Sequence, residues 1–452
     1  MDLLCTYRKS LAKKCSSNTL VLYLYKGQLM KNSSPLLKWS IWILAALFYF
    51  YEFVLRVSPG VMMQDLMRSF NITASATGIL SAFYLYAYAP MQLPVGILMD
   101  RFGVKNVLSI ASVICGLGAL IFSISYSFSL AGFGRLLIGA SSAFAFIAMV
   151  YITSHWFPLR KRAFLIGLAN SIAMLGASMG TGPLSIIIDN VGWRVSVASI
   201  GFFGILLGIA VYLVLRTDRR NEEVERETSH VKGAKALEKL KQVASRKSTW
   251  LNAFTALFFY VTTTAFAGLW GASFVQTAYG ASKEVASFAM SMVFAGWLFG
   301  GPLTGLLSDV IGKRKTTIRI GIVGTLFSLV PVIYFPSIPI VLVYVLLFLV
   351  GFFSSAELLS FVLAIEVNSI RAKATAAAFT NFIISCGDAL VQPFIGFLLD
   401  SKWGGTLENE VRLYSASDYQ FALSCLPIAL LMAFILLFFI REEPMQKPEE
   451  RH

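Results

Sequence analysis

The sequence predicts an all-α integral membrane protein in which twelve transmembrane helices form two pseudo-symmetric six-helix bundles. The first observation is the composition. Hydrophobic residues make up 57% of the chain, charged residues 14%, and the mean hydropathy is +0.71, which is too apolar for a soluble globular protein. The second is the recurrence of apolar segments of about 20 residues, each long enough to cross the roughly 30 Å core of a bilayer as a helix. The third is a short loop signature that occurs once in each half.

The apolar segments follow one another along the chain and alternate with polar loops. Where a segment is less apolar, Gly, Ser and Tyr residues complete it, as is usual in polytopic helix bundles. The predicted transmembrane helices cover residues 39–62, 74–99, 104–125, 128–154, 163–188, 192–215, 250–279, 284–308, 317–335, 338–366, 372–399 and 416–440.

The loop signature has one spacing in both halves: a glycine, an aspartate, a second glycine and then basic residues. The first copy consists of Gly96, Asp100, Arg101, Gly103 and Lys105, and the second of Gly305, Asp309, Gly312, Lys313 and Arg314. Further residues match at nearly the same offset in the fifth and eleventh predicted helices: Ala163, Asn170, Ile172, Gly176 and Asp189 match Ala374, Asn381, Ile383, Gly387 and Asp400. Such an internal repeat in an apolar chain predicts two similar membrane-embedded halves.

The net charge of +14 is explained by membrane topology. Most of the 38 Lys and Arg residues fall in the N-terminus, alternate loops, the central linker and the C-terminus. The opposite loops carry only Arg68, Arg194, Lys283, Lys402 and Arg412. By the positive-inside rule, both termini are expected in the cytoplasm. The basic charge therefore predicts an orientation in the membrane and not nucleic-acid binding.

The charge distribution also divides the chain. Residues 1–36 are expected to form a cytoplasmic N-terminal extension, 37–215 the first six-helix bundle, 216–248 a charged and partly helical cytoplasmic linker, 249–440 the second bundle, and 441–452 a cytoplasmic tail. The codons of Lys26 and Gly27 must be rich in purines and resemble a bacterial ribosome-binding site upstream of Met30. The sequence therefore leaves two start sites, Met1 and Met30, and residues 1–29 become a mis-assigned extension under the second.

Motifs for enzyme chemistry are missing from the sequence. No GxxxxGK[ST] loop is present, which argues against direct use of ATP, and no GxSxG motif occurs. The five cysteines show neither disulfide nor metal-ligand spacing. We therefore expect no enzyme activity, no metal and no cofactor.

The doubled loop signature resembles that of the major facilitator superfamily, and the resemblance covers residues 37–440. Arg135 fits the superfamily's helix-four arginine motif, and residues 176–183 resemble its helix-five glycine–proline motif. Val310 stands where a basic residue is common in the loop signature. The resemblance implies the major facilitator fold and secondary transport by alternating access, usually as a monomer. It does not identify a substrate.

The loop residues are expected to act in gating. Asp100 lies at the predicted cytoplasmic end of helix two, where a carboxylate can accept hydrogen bonds from a helix N-terminus of the other half and pair with an arginine. Gly96 and Gly103 permit close helix approach and a tight turn. The resemblance assigns the same gating role to both copies, with Asp309 as the counterpart of Asp100. The alternative is a loop cap without a gating function.

Ionisable residues inside the predicted helices are candidates for function because a charge in the bilayer is costly. Arg56 or Arg135 can bind a substrate carboxylate, for which a planar, permanently charged guanidinium is suited. Glu52, Glu357 or Asp388 can take a proton because desolvation disfavours the ionised carboxylate. Glu52 and Glu357 are also candidates for substrate binding, because they are expected to face the same chamber as the two arginines. The alternative for Glu52 and Arg56 is a structural ion pair, since they lie one helical turn apart.

Aromatic side chains complete the candidate site: Tyr84 and Tyr88 share a face of helix two, and Trp270 lies on helix seven. The stretch 48–59 of helix one is similar to phagosomal-transporter-like proteins of intracellular bacteria and to dipeptide carriers. This similarity implies an amino acid, a dipeptide, a nucleoside or a carboxylate as substrate.

These features predict a proton-coupled importer of a small organic nutrient in the bacterial inner membrane. We expect a multi-pass monomer in the lipid bilayer, with the proton gradient as its energy source. One alternative is a proton-driven exporter of drugs or metabolites, whose cavity would be dominated by apolar and aromatic groups. Another is a membrane sensor without transport activity, which would carry a sizeable extra soluble domain.

Overall fold

The structure is a computed structural model and describes residues 35–92, 94–215, 238–368, 372–408 and 411–440. The predictions about the N-terminal extension, most of the charged linker and the C-terminal tail lie outside these residues. The helices before the linker are α1 (Pro35–Val57), α2 (Met63–Phe70), α3 (Ala74–Met91), α4 (Val95–Ile124), α5 (Phe128–Ser142), α6 (Phe144–Trp156), α7 (Leu159–Met179), α8 (Gly182–Val191) and α9 (Trp193–Val214).

The helices after the linker are α10 (Lys247–Val261), α11 (Gly271–Tyr279), α12 (Lys283–Ile311), α13 (Arg314–Tyr334), α14 (Ile340–Ser354), α15 (Leu359–Glu366), α16 (Lys373–Lys402), α17 (Ala416–Leu423) and α18 (Cys425–Phe438). A small antiparallel hairpin pairs β1 (Leu407–Glu408) with β2 (Val411–Arg412) in the loop between α16 and α17. The sequence analysis did not predict this hairpin. The molecule is otherwise helical in the part that the structure describes.

Eleven helical segments of the described residues are long and apolar enough to cross a membrane, whereas the sequence predicted twelve. The predicted helix at 74–99 is not among them. It corresponds to α3, which has 18 residues and spans about 27 Å at 1.5 Å per residue. Its polar side chains lower its mean hydropathy; they include Ser75, Thr77, Ser81, Tyr84, Tyr86 and Tyr88.

The second predicted helix contains a break that the sequence did not predict. The turn to the third helix was predicted at residues 100–103, but α3 already ends at Met91 and α4 begins at Val95. Pro90 and Pro94 explain the earlier break, because proline lacks the N–H donor and clashes with the preceding helical turn. The predicted turn appears as an interruption within α4 at Gly103, where φ is 76° and ψ is 149°, a conformation that suits glycine.

Three predicted helices change their winding along their length. Helix one ends in a 3₁₀ turn at Ser58–Val61, helix seven contains a π-helix at Thr262–Trp270, and helix ten contains a 3₁₀ turn at Ser355–Leu358. Local hydrogen bonds from hydroxyl groups favour such changes, because they compete with the regular helical pattern. For example, Ser355 Oγ donates to the Phe352 carbonyl at 2.6 Å. Irregular winding of this kind is frequent at functional sites.

The helices on each side of the linker pack mainly against one another. In the first set, α4 contacts α5 and α9, α3 contacts α5, and α1 contacts α7. In the second set, α12 and α13 contact α14, and α10 contacts α16 and α18. The two sets meet mainly where α3 packs on α16 and α7 packs on α12. We call the end of the molecule at which α9 ends and α10 begins the linker side, and the opposite end the far side.

Glycine residues allow α3 and α16 to approach each other closely. A Cβ atom on Gly78 would lie 2.7 Å from the Gln392 carbonyl oxygen, and one on Gly396 would lie 2.5 Å from the Ala74 carbonyl oxygen. Both neighbours are backbone atoms, which cannot move aside as a flexible side chain can. The interface between the two sets therefore depends on glycine at these positions.

The described end of the linker belongs to the core of the second set. Residues 238–244 are helical, and Val243 is fully buried against Ala372, Ala376 and Phe379. The sequence analysis expected this stretch to be solvated because charged residues surround it. A single buried valine was too weak a signal to change that expectation.

Candidate functional site

Ionisable and polar side chains from both sets meet in the interior, and we call this group the central cluster. Except for Arg56, whose side chain is 13% exposed, its members are at most 9% exposed. The sequence analysis singled out every member except Thr264. The central cluster consists of Glu52 and Arg56 on α1, Tyr84 and Tyr88 on α3, Arg135 on α5, Thr264 in the π-helix, Glu357 in the 3₁₀ turn and Asp388 on α16.

Glu52 is held by a tyrosine of the same set. The Tyr84 hydroxyl donates a hydrogen bond to Glu52 Oε1, and the Tyr84 and Tyr88 rings stack with centroids 5.6 Å apart. The second oxygen, Oε2, is buried and has no hydrogen-bond partner among the described residues. Tyr84 therefore fixes the orientation of Glu52 while leaving one of its oxygens unbonded.

Arg56 joins the two sets. Its Nη2 atom lies 3.7 Å from Asp388 Oδ2, across the interface between α1 and α16. The guanidinium also lies over the rings of Tyr84 and Tyr88, at 5.8 and 5.5 Å from their centroids. Among the described residues, Arg56 forms its ion pair with Asp388 rather than with Glu52. The alternative interpretation placed an ion pair within one helix, between Glu52 and Arg56. In the structure, the ion pair of Arg56 joins the two sets instead.

The second set supplies two carboxyl groups with different surroundings. Asp388 accepts a hydrogen bond from the Thr264 hydroxyl at Oδ1, and its other oxygen faces Arg56. Glu357 lies within electrostatic reach of Asp388 and is 2% exposed. Its buried Oε1 atom has no hydrogen-bond partner among the described residues. Asp388 therefore has a cation and a donor beside it, and Glu357 has neither.

Arg135 is bound by backbone groups. Nη1 donates to the Leu55 carbonyl at 2.8 Å and Nη2 to the Ser81 carbonyl at 3.4 Å, and the guanidinium lies 5.3 Å from the Tyr84 ring centroid. These contacts connect α5 with α1 and α3. They favour a structural role for Arg135. The binding of substrate by Arg135 stays a prediction.

Trp270 is fully buried at the end of the π-helix. Its indole N–H donates to the Gln392 carbonyl at 3.2 Å, so it ties helix seven to α16 within the second set. The prediction that Trp270 belongs to the substrate-binding site stays a prediction. The hydroxyl of Thr264 was missed, because a threonine in an apolar helix carries no signal until its partner is known.

The second copy of the loop signature forms local contacts on the linker side. Arg314 pairs with Asp309 at 2.7 Å and approaches Glu366 at 3.6 Å, and all three residues belong to the second set. Gly312 ends α12 with a φ of 71°, as expected for a glycine at a helix C-terminus. Lys313 is the exposed residue preceding α13.

The first copy also forms local contacts. Lys105 lies 4.3 Å from the ring centroid of Tyr212 and Arg101 lies 5.2 Å from that of Phe102. The side chain of Asp100 lies outside the described part. Added Cβ atoms at Gly96 and Gly305 would meet nothing within 4 Å. In this conformation the two glycines are therefore not positions of close helix approach, and the gating role of the loops stays a prediction.

On the far side, Asp400 joins the two sets. It lies in the last turn of α16, and its Oδ2 atom accepts the Ser75 backbone N–H at 2.9 Å, in the first turn of α3. Its Oδ1 atom accepts from Tyr414 at 2.5 Å and from Arg412 at 3.2 Å. The Tyr414 hydroxyl also accepts the Ala74 N–H at 3.2 Å. Burial and the hydrogen bond with Asp400 raise the pKa of Tyr414, so the phenol keeps its proton at neutral pH.

A second far-side contact involves the repeat-matched residue Asp189. Lys283 at the start of α12 pairs with Asp189 at 2.8 Å and with Asp65 at 3.0 Å, both in the first set. Deeper in the same interface, Ser291 Oγ accepts the Gly182 N–H at 2.8 Å. Asp189 and Asp400 thus lie in the last turns of equivalent helices, and each contacts the opposite set. The sequence analysis matched the two aspartates but assigned them no role.

Comparison with known proteins indicates the family to which this chain belongs. The sequence model of the Major Facilitator Superfamily matches residues 41–274 and 253–452. A "Probable sulfoacetate transporter SauU" of Cupriavidus necator is 27% identical over 313 residues, covering 64% of this chain and 70% of that protein. A "Probable hexose phosphate transport protein" of Chlamydia pneumoniae is 24% identical over 395 residues, covering 81% of this chain and 86% of that protein.

Among solved structures, an inward-facing and occupied bacterial homologue of the human lysosomal transporter Spinster is similar with a TM-score of 0.73. The identity is 18%, and the similarity covers 90% of this chain and 97% of that one. This similarity shows a shared fold. The predicted resemblance to the Major Facilitator Superfamily is confirmed. The family consists of transporters and not of enzymes, as the sequence predicted. The chain is a membrane transporter of the Major Facilitator Superfamily.

Proposed function

We propose that this protein is a secondary active transporter that imports a small organic anion together with protons. It would consist of twelve helices in two six-helix bundles and work by alternating access in the bacterial inner membrane, with the linker side in the cytoplasm. The observation that carries the proposal is the Arg56–Asp388 pair, because it joins the two sets through the only ion pair that the described part of the central cluster contains.

The pair suggests how an anion and a proton can be linked. A substrate carboxylate, sulfonate or phosphate competes with Asp388 for the Arg56 guanidinium, which offers a planar set of donors for such groups. Protonation of Asp388 removes the competing charge and frees Arg56 for the substrate. The aromatic rings around Arg56 exclude water and strengthen the attraction, because the local dielectric is low.

The relatives support an organic anion as the proposed substrate. The two relatives given above are named as probable transporters of sulfoacetate and of hexose phosphate, both small organic anions. Amino acids, dipeptides and nucleosides are therefore weaker candidates than organic acids. A cluster of arginines and acids also differs from the apolar cavity expected for a drug exporter.

The far-side contacts support the alternating-access part of the proposal. Asp400, Tyr414 and Lys283 hold the two sets together on one side of the central cluster. With the far side facing outward, this conformation is closed to the outside. Import then requires these contacts to break when substrate enters and to form again before release.

Uptake into proteoliposomes tests the proposal. Radiolabelled sulfoacetate, glucose 6-phosphate, glucarate, alanine and a nucleoside are offered under an inward proton gradient. We expect accumulation of an anion by the wild type, loss of accumulation but retention of exchange in Asp388→Asn, and loss of both in Arg56→Gln. Asp418→Asn is the matched control, since Asp418 is an acid in an exposed helix cap. Equilibration without accumulation would contradict proton coupling, and gradient-driven efflux alone would indicate an exporter.

A further inference from the structure

We propose that Glu357 is a neutral carboxylic acid that keeps its proton throughout the transport cycle and donates a hydrogen bond to the substrate, while Asp388 carries the transported proton. This inference deepens the proposed function and rests on it for the part that concerns substrate. It separates two acids to which the sequence analysis gave the same possible role.

The surroundings of Glu357 provide no partner for a negative charge. The side chain is 2% exposed, and its buried Oε1 atom lacks a hydrogen-bond donor among the described residues. The groups that interact with it electrostatically include Asp388, which is itself acidic, and the Tyr260 phenol. An ionised carboxylate in such a place is strongly disfavoured.

The helices packed around the Ser355–Leu358 turn do not supply a cation. They are α10, α12, α13, α14 and α15. On α13, Arg319 directs its guanidinium to the Phe438 ring, 4.9 Å from the centroid, and Arg314 pairs with Asp309 and Glu366 on the linker side. The other ionisable side chains of these helices lie toward the helix ends or on other faces: Lys247, Lys283, Glu284, Lys315, Tyr334 and Tyr344.

The charge balance of the central cluster requires a bound proton. The cluster contains three carboxyl groups, on Glu52, Glu357 and Asp388, but two guanidinium groups, on Arg56 and Arg135. With all five ionised, it would carry one excess negative charge, which a buried site tolerates poorly. Glu52 has the Tyr84 hydroxyl and Asp388 has Arg56 and Thr264. The proton therefore belongs on Glu357.

Binding of an anion adds negative charge and so needs a further proton. A proton from the far-side solution binds to Asp388 Oδ2, the Arg56–Asp388 pair opens, and Arg56 pairs with the anion. On the linker side the anion leaves, Asp388 returns its proton to water, and the pair forms again. The proton of Glu357 does not move in this cycle, so its O–H remains available as a donor to the substrate.

Infrared spectroscopy tests the protonation state without any substrate. Purified transporter in lipid at neutral pH is expected to show the C=O stretch of a protonated carboxylic acid. Glu357→Gln is expected to remove this band, whereas Glu52→Gln and the cap variant Asp418→Asn are expected to leave it. A wild type without the band, or a band that persists in Glu357→Gln, would overturn the inference even if the proposed transport were correct.

Sulfoacetate uptake tests the donor role separately. Glu357→Leu removes the donor and is expected to raise KM by roughly tenfold, whereas Glu357→Gln, whose amide N–H can donate, is expected to recover most of that loss. Both variants are expected to accumulate substrate under the proton gradient, unlike Asp388→Asn. Exchange without accumulation in Glu357→Gln would show that Glu357 carries the transported proton and would contradict the inference. If the wild type fails to accumulate any anion, the proposed function fails, and the infrared result still decides the state of Glu357.

Discussion

Replacing Asp400 with alanine removes a contact that exists only while the far side is closed. Asp400 accepts the Ser75 N–H at 2.9 Å across the interface, at the positive end of the α3 helix dipole. Its bonds to Arg412 and Tyr414 lie within the second set and are therefore expected in both conformations. The cross-interface bond alone should shift the equilibrium between them.

The size of the expected shift in the equilibrium follows from the burial of Asp400. A hydrogen bond to a charged group contributes about 1.5–3 kcal/mol, and the Asp400 side chain is 15% exposed, so the lower half of that range applies. A change of about 1.4 kcal/mol is tenfold in an equilibrium constant. The Asp400→Ala variant should therefore have an equilibrium constant for far-side opening roughly ten to forty times that of the wild type.

A cysteine in the closed interface measures this shift. Ser273 is 1% exposed and contacts Met63 of the first set on the far side, so Ser273→Cys in a background without native cysteines should react with an impermeant maleimide only when the far side opens. The control is Asp418→Ala, which removes an acid that caps α17 within the second set. Equal labelling rates in the Asp400→Ala and Asp418→Ala proteins would show that the Asp400–Ser75 hydrogen bond does not stabilise the closed far side.

Three further predictions use the same structure. Lys283→Gln should raise the Ser273→Cys labelling rate less than Asp400→Ala does, because its partners are 31% and 35% exposed and exposed ion pairs contribute about 0–1 kcal/mol. Gly78→Ala should raise that rate strongly, since its Cβ would lie 2.7 Å from a backbone oxygen of the other set; an unchanged rate would contradict the close packing. Arg56→Lys should lower sulfoacetate affinity about tenfold or more in a binding titration, because an ammonium lacks the planar donors; equal affinity would argue against a direct contact.

The fold followed from the sequence wherever a signal was repeated or strongly apolar. Apolar segments located the membrane helices, and the doubled loop signature identified the family. The predicted turn between the second and third helices appears at Gly103. The additional break between α3 and α4 was missed, because the effect of Pro90 and Pro94 outweighs that of the apolar residues around them. The winding changes in helices seven and ten depend on individual hydroxyl groups, whose partners are set only by packing.

The candidate site was predicted as a group of residues but not as a set of pairs. Glu52, Arg56, Glu357 and Asp388 could be identified from the sequence, because an ionisable side chain inside a membrane helix is energetically costly. The sequence offered Glu52 as a partner of Arg56 only in the alternative interpretation. It could not offer Asp388, because neighbours along one helix are visible in a sequence and neighbours across an interface are not. The far-side role of Asp400 could have been suspected, since the repeat matched it with Asp189 at the end of an equivalent helix.

The most direct test of proton-coupled anion import is to measure proton movement while substrate enters. Proteoliposomes containing a pH-sensitive dye receive external sulfoacetate without an imposed gradient, with wild type beside Asp388→Asn. We expect sulfoacetate to acidify the lumen of wild-type vesicles. We expect it to enter Asp388→Asn vesicles only by exchange for internal sulfoacetate, without acidification. Sulfoacetate entry into wild-type vesicles with no change in internal pH, or equal acidification with Asp388→Asn, would contradict it.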